Sequence, residues 1–278
     1  QGFVVLLTWL LIALTLVIAT ATMLPALSPL VLNTSMGVDQ GFYNRVCLPL
    51  FGLVFVLLAV CPGLDWNRPR LDRFRTFFLP GLFLGLVAAL WAAGLSLGLP
   101  LLALAAILCS FASVGLFLWQ NRSAVRKMKT WSTWGVHLGL CLLALGVAVS
   151  GPFKASTEAI LSQGDSFSIQ GYTLAFEGLT QESHPGMTAS VAKIRVSDEE
   201  GSLGLLRPER RRYDNFRQPF AEASVMPSLG DEVYVTLLGA NREGIVRVKA
   251  QVMPLVNWIW IGGGIMCLLG LLGLRKGR

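Results

Sequence analysis

Long uninterrupted apolar runs dominate the first 150 residues and stop where a stretch of alternating apolar and polar positions begins. A helix needs about 20 apolar residues to cross a bilayer core of about 30 Å. The first such run covers 3–24 and meets Pro25, where a helix is expected to kink or stop. A second covers 46–62 and ends at Pro62-Gly63. The block from Phe78 to Trp119 is too long for one crossing and breaks at Gly98-Leu99-Pro100, which predicts a helical hairpin of 78–97 and 100–119. A fifth run covers 131–151, and the last lies within 254–278, with Trp258 and Trp260 at its start as an aromatic belt. The pattern predicts a polytopic α-helical membrane protein of about six transmembrane helices, with a small external all-β domain, 152–253, inserted before the last helix.

Inside 152–253 the period shortens to two. Ser166–Gly178 alternates around Gln170-Gly171, a turn signal, and Ala189–Val196 reads as a strand. Ser197–Gly201 is a turn and Ser202–Leu206 a strand. Asp231–Gly239 and Ile245–Met253 flank Asn241–Gly244 as a hairpin. Six or so short strands suggest a small barrel or sandwich. Between them, Arg207-Pro-Glu-Arg210-Arg211-Arg212-Tyr213 is a dense basic run. It can grip carboxylates of a partner bidentately, or it can protect a strand edge by charge. His184, followed by Pro185-Gly186, reads as an exposed turn residue.

Composition agrees with a membrane chain: 54% of residues are hydrophobic, 14% are charged and the mean hydropathy is +0.61. The net charge of +7 suggests nucleic acid until its distribution is read. The loops at 64–77 and 121–130 and the C-terminal tail hold 4, 4 and 3 basic residues, whereas the short loops opposite hold only Arg45. Residues 152–253 carry 11 basic and 13 acidic side chains. The excess charge is therefore a positive-inside signal, and no nucleic-acid partner is expected. Both termini are predicted to be cytoplasmic and 152–253 external. The five cysteines, Cys47, Cys61, Cys109, Cys141 and Cys267, include no C-x-x-C pair and read as small apolar residues rather than metal or disulfide partners. The chain starts at Gln1, which reads as a trimmed or partial chain.

One ionisable residue lies inside a predicted span. His137, in Trp131–Ser150, sits about 9 Å along the helix from Trp131 at ~1.5 Å per residue. Trp134, His137 and Cys141 share one helical face, and Gly135, Gly139 and Gly146 form a small-residue stripe fit for a flat ligand or a second helix. Intramembrane histidine is costly and reads as a ligand or proton carrier, or as an interhelical hydrogen-bonding group.

Several stretches, in order, resemble the CcmF/NrfE family, the haem lyases of bacterial cytochrome c maturation. They are Ala19-Thr-Ala-Thr-Met-Leu-Pro25, Phe42-Tyr-Asn-Arg45, Trp134-Gly-Val-His137 with Leu145–Ser150, Gly171–Gly178, Leu206–Tyr213, and Pro254-Leu-Val-Asn-Trp258-Ile-Trp260. The family's Trp-rich haem-handling motif, its flanking external histidines and the partner histidine of its transmembrane haem are absent. The chain thus resembles the C-terminal half alone, as a fragment or a split-gene product, and is not expected to be active by itself. The resemblance implies a b-type haem and carries over His137 alone, as one axial ligand; Trp134, Gly135 and Gly139 are haem-pocket candidates by their place on the same helix. By the charge of their run, Arg207, Arg210, Arg211, Arg212 and Tyr213 are candidates for binding the carboxylates or propionates of a partner. Implied partners are the N-terminal half of the lyase, a haem chaperone, apocytochrome c with its thiol-handling subunits, and membrane lipid. The implied location is the bacterial inner membrane, with 152–253 periplasmic. The alternative is a haem-free membrane scaffold that docks maturation subunits.

Overall fold

A computed structural model of the chain describes residues 2–32, 34, 36–60, 73–96, 98–120, 128–216, 218–241 and 243–275. Cys61 and the basic residues Arg68, Arg70, Arg122, Arg126, Lys127, Lys276 and Arg278 lie outside the described residues. The chain divides into two compact units, 1–148 with 261–278, and 149–260.

The helical unit is built from α1 (Gly2–Leu32), α2 (Gln40–Val60), α3 (Arg73–Ala92), α4 (Leu99–Gln120), α5 (Met128–Ser150) and α6 (Asn257–Arg275). Among the described residues, four apolar stretches are long enough to cross a bilayer: Val4–Leu30, Gly41–Ala59, Pro100–Gln120 and Thr130–Ser150. Leu79–Ala92 and Asn257–Gly273 are apolar but shorter. Of the kink or stop expected at Pro25, the stop does not occur, because α1 continues through both Pro25 and Pro29 to Leu32. An apolar environment offers the freed carbonyls no water to turn towards, so the helix stays the best available arrangement on either side of each proline. The hairpin break falls earlier than Gly98: α3 ends at Ala92, and Gly94 takes a φ of +94°.

Packing in this unit centres on α4. Half of its apolar window is buried, against 11% for α1. Hydroxyls hold it to α2: Ser110 Oγ donates to the Phe55 carbonyl at 2.7 Å and Ser113 Oγ to the Ala59 carbonyl at 2.6 Å. In an apolar medium such small polar residues join helices where apolar contact alone gives little preference. Phe55 and Leu58 of α2, Ala106 and Ile107 of α4, and Cys141 and Ala144 of α5 form one buried cluster. Cys47, Cys109 and Cys141 are buried free thiols, as expected for small apolar residues, while Cys267 is exposed.

Among the described residues the β unit is a sandwich of ten antiparallel strands, more than the six or so expected. One sheet has the order β1 (Ala155–Leu161), β10 (Val246–Pro254), β9 (Asp231–Ala240), β8 (Ser224–Met226). The other runs β2 (Ser166–Ile169), β3 (Tyr172–His184), β4 (Met187–Ser197), β6 (Glu209–Tyr213), β7 (Phe220–Glu222), with β5 (Ser202–Leu206) also paired to β4. Alternation sends Val233, Val235 and Leu237 inward from β9, to meet Leu174, Phe176, Ile194 and Val196 of the facing sheet. Each such fully buried side chain stabilises the fold by roughly 1.5–3 kcal/mol. Gln170 and Gly171 take φ of 49° and 81°, the two-residue turn whose twist suits the β2–β3 hairpin. The strands missed in the sequence are β1, whose inward residues are Ala155, Thr157, Ala159 and Leu161, the basic β6, and the three-residue β7 and β8.

Candidate functional site

The spacing of Trp134, His137 and Cys141 places them on one face of α5, and that face is directed at α4 and α2. Cys141 is fully buried in the α2–α4–α5 cluster. Two turns towards the helix start, the Trp134 ring meets Phe117 of α4 at 4.1 Å between centroids, with planes 32° apart. The half-buried His137 lies between these levels, its ring 5.3 Å from that of Trp134 and tilted by 37°. His137 Nδ1 is 2.7 Å from the Thr133 carbonyl, one turn back. A carbonyl only accepts, so Nδ1 carries the proton and donates it. The lone pair of the neutral ring is then left on Nε2.

The glycine stripe serves a helix. A methyl group placed on Gly135 would collide with Leu269 of α6, and one on Gly139 would lie 2.8 Å from the Gly262 carbonyl oxygen. Of the two uses foreseen for this stripe, close helix packing is the one seen at Gly135 and Gly139. Phe117 and the Thr133 carbonyl were not foreseen. Thr133 follows from helical spacing once His137 is singled out. Phe117 has no local signal within its apolar run.

The basic run behaves differently from a single patch. A strand alternates faces, so β6 sends Arg210 and Arg212 one way and Arg211 and Tyr213 the other. Arg210 donates to the Leu238 carbonyl of the opposite sheet, with room made for its guanidinium by Gly239. Arg211 pairs with Glu209 at 2.9 Å and approaches Glu222 at 3.7 Å. Hydrogen bonds to Glu209 and then Tyr213 hold its pKa above the ordinary arginine value. Arg207 pairs with Glu182 at 2.7 Å. Arg212 alone of these is exposed with no ion-pair partner among the described residues. Tyr213 packs edge-on against Phe216 and Phe220. His184 is exposed at the β3 end, 3.9 Å from Glu182. Elsewhere in the sandwich, burial, then a hydrogen bond from Tyr234 to Glu232 and that carboxylate's charge, push the Tyr234 phenol from its usual 10 to about 12.

Among the described residues no three His, Cys, Asp or Glu side chains gather to hold a bare metal ion. What the helical unit offers is one oriented imidazole in an aromatic setting, on a chain whose β-sandwich precedes its last helix. Residues 152–254 match the family model for the CcmF C-terminal beta-sandwich. The chain is 30% identical to the cytochrome c-type biogenesis protein CcmF of Pseudomonas fluorescens, over 94% of this chain and 42% of that one. It is 27% identical to CcmF of Escherichia coli, over 97% and 42%. With NrfE of Haemophilus influenzae the identity is 24%, over 87% and 39%. A solved structure, Cytochrome c Heme Lyase CcmF, superposes with a TM-score of 0.78 over 99% of this chain and 45% of that one, at 20% identity, which is a likeness of fold. Along its length the chain is similar to proteins of the CcmF/NrfE family, and it spans less than half the length of the curated relatives it matches.

Proposed function

We propose that the chain is the C-terminal part of a cytochrome c haem lyase, and that His137 supplies one axial ligand to a b-type haem within the membrane. The observation that carries this is the 2.7 Å bond from His137 Nδ1 to the Thr133 carbonyl. A ligating histidine typically donates its other ring N–H to a carbonyl or carboxylate, which selects the tautomer and raises the basicity of the ligating nitrogen. Thr133 does this for His137 through the backbone, so the donor set suits an iron that takes one imidazole from this chain. A haem bound there supplies a one-electron redox centre. The chain's own contribution is a neutral imidazole held in one tautomer, and iron binding offsets the cost of keeping it in the bilayer. Gly135 and Gly139 support this arrangement indirectly, by seating α6 against α5.

The Lys/Arg asymmetry supports an orientation in the bacterial inner membrane with both termini cytoplasmic and 152–253 periplasmic. In that orientation the sandwich stands on the side where apocytochrome c, a haem chaperone and thiol-handling subunits meet the N-terminal half of the lyase. The chain by itself is not expected to form thioether bonds.

The test is an absorption spectrum of the chain co-expressed with the rest of the lyase. A low-spin, two-histidine b-type haem is expected, lost or turned five-coordinate in His137→Ala, and partly restored by added imidazole. His184→Ala should leave the spectrum unchanged. A co-expressed complex without b haem, or a His137→Ala spectrum equal to wild type, sinks the reading and leaves the scaffold alternative.

A further inference from the structure

We infer that Trp134 is a positioning residue for the His137 imidazole and that Phe117 of α4 is its buttress, an inference that rests on the reading of His137 as a haem ligand. A single hydrogen bond cannot fix a ring. The bond from Nδ1 to the Thr133 carbonyl, at 2.7 Å, holds one edge of the imidazole and leaves it free to rock about the N···O line. The second restraint is the indole, three residues earlier on the same helix, whose centroid is 5.3 Å from that of the imidazole with planes 37° apart. Rocking towards the indole meets its face. The indole has its own backing: Phe117 lies 4.1 Å from it, tilted by 32°. Phenyl, indole and imidazole thus form a ladder that starts on α4 and ends at the candidate ligand.

Two consequences follow for a ligand held this way. The plane of an axial imidazole sets how its π orbitals overlap those of the iron, so fixing the plane fixes the electronic coupling. The indole face is also electron-rich and favours a neighbouring ring that carries positive charge. An imidazole donating to ferric iron is more positive than one donating to ferrous iron. With a haem iron held by His137, Trp134 would therefore favour the oxidised form by acting through the imidazole.

The chain has two histidines, His137 and His184, which makes a haem-free test direct. The whole chain in detergent, with isotope-labelled histidine rings, gives two ring systems by NMR, assigned with His184→Gln. His137 is expected as the Nδ1-protonated tautomer with its ring protons shifted upfield by the indole. Trp134→Leu should move them downfield, Phe117→Leu should move them less in the same direction, and His184 should not move. If Trp134→Leu also displaces the His184 signals, the fold has changed, and Trp134→Phe carries the test with a smaller downfield shift. In the co-expressed complex, Trp134→Leu should raise the haem midpoint potential at unchanged haem content, and Trp134→Phe should restore most of it. Unmoved His137 ring signals in both Trp134 variants, or an unmoved potential in a haem-loaded Trp134→Leu complex, overturns the inference. A His137→Ala complex that keeps its haem overturns the ligand reading instead, and the NMR arm then still decides whether the ladder orients the ring.

Discussion

Gly139 of α5 and Gly262 of α6 meet backbone to backbone: a methyl group on Gly262 would stand 2.5 Å from the Gly139 carbonyl oxygen and from the Leu143 nitrogen. No side chain can yield at such a contact, so the helices themselves would have to separate. Gly139→Ala and Gly262→Ala are each expected to destabilise the helical unit by about 1–3 kcal/mol, the usual cost of overpacking. Gly264→Ala, with nothing within 4 Å of its added methyl, should be neutral by comparison. Thermal unfolding of the purified chain in detergent separates the two cases, and equal midpoints for all three variants would contradict the close contact.

The arginines of β6 should part company in a stability experiment. Arg210→Ala removes the donor to the Leu238 carbonyl and leaves that half-buried oxygen unpaired, a loss of about 1–3 kcal/mol. Arg212→Ala removes an exposed side chain and should stay within about 0.5 kcal/mol of wild type. Cytochrome c yield in cells, scored at equal protein level, then shows whether Arg212 engages a partner. A drop for Arg210→Ala alone would trace to folding and not to recognition.

Alkaline pH should weaken the sandwich through Tyr234. Its folded pKa, about 12, lies above the usual 10. Below pH 10 both folded and unfolded chains keep the proton, and the stabilisation is fully present. Between 10 and 12 the unfolded chain has released the proton while the folded one retains it, so stability falls as pH rises. Hydrogen exchange at β9 amides in the whole chain should accelerate across that window. Tyr234→Phe should flatten the dependence, and an equally steep profile in the variant would assign the effect to another group.

Sidedness is open to chemical labelling. A unique cysteine at position 198, in an otherwise cysteine-free chain, should react with an impermeant thiol reagent added to intact spheroplasts. One at position 275 should react only after the membrane is opened. The reverse pattern would invert the orientation drawn from the Lys/Arg count.

The sequence carries the helices, the hairpins and the one costly residue because each has a local physical signature. Length and apolarity mark the spans, the Gln170-Gly171 and Asn241–Gly244 turns mark strand ends, and His137 stands out against its surroundings. What it does not carry depends on neighbours far along the chain. Pro25 stops a helix in water but not in an apolar bundle. The division of Arg207–Tyr213 between two faces follows from the register of β6 against β4, where Ala189 sits opposite Arg211 and Ser190 opposite Arg210. Phe117 is one apolar residue among many until α4 is laid beside α5. Gly135 and Gly139 were visible as a surface for close approach, but whether a ring or a helix uses it is decided by α6, which begins over a hundred residues later.

The two serine bonds from α4 to α2 act as an index as well as a fastening. Ser110 and Ser113 each reach one particular carbonyl, Phe55 and Ala59, so sliding α4 by one residue, about 1.5 Å, would cost both bonds at once. Phe117 stands one helical turn beyond Ser113. Its height along the bundle is therefore graduated by those two hydroxyls, and a Ser113→Ala chain would lose calibration of the phenyl ring before it lost its fold.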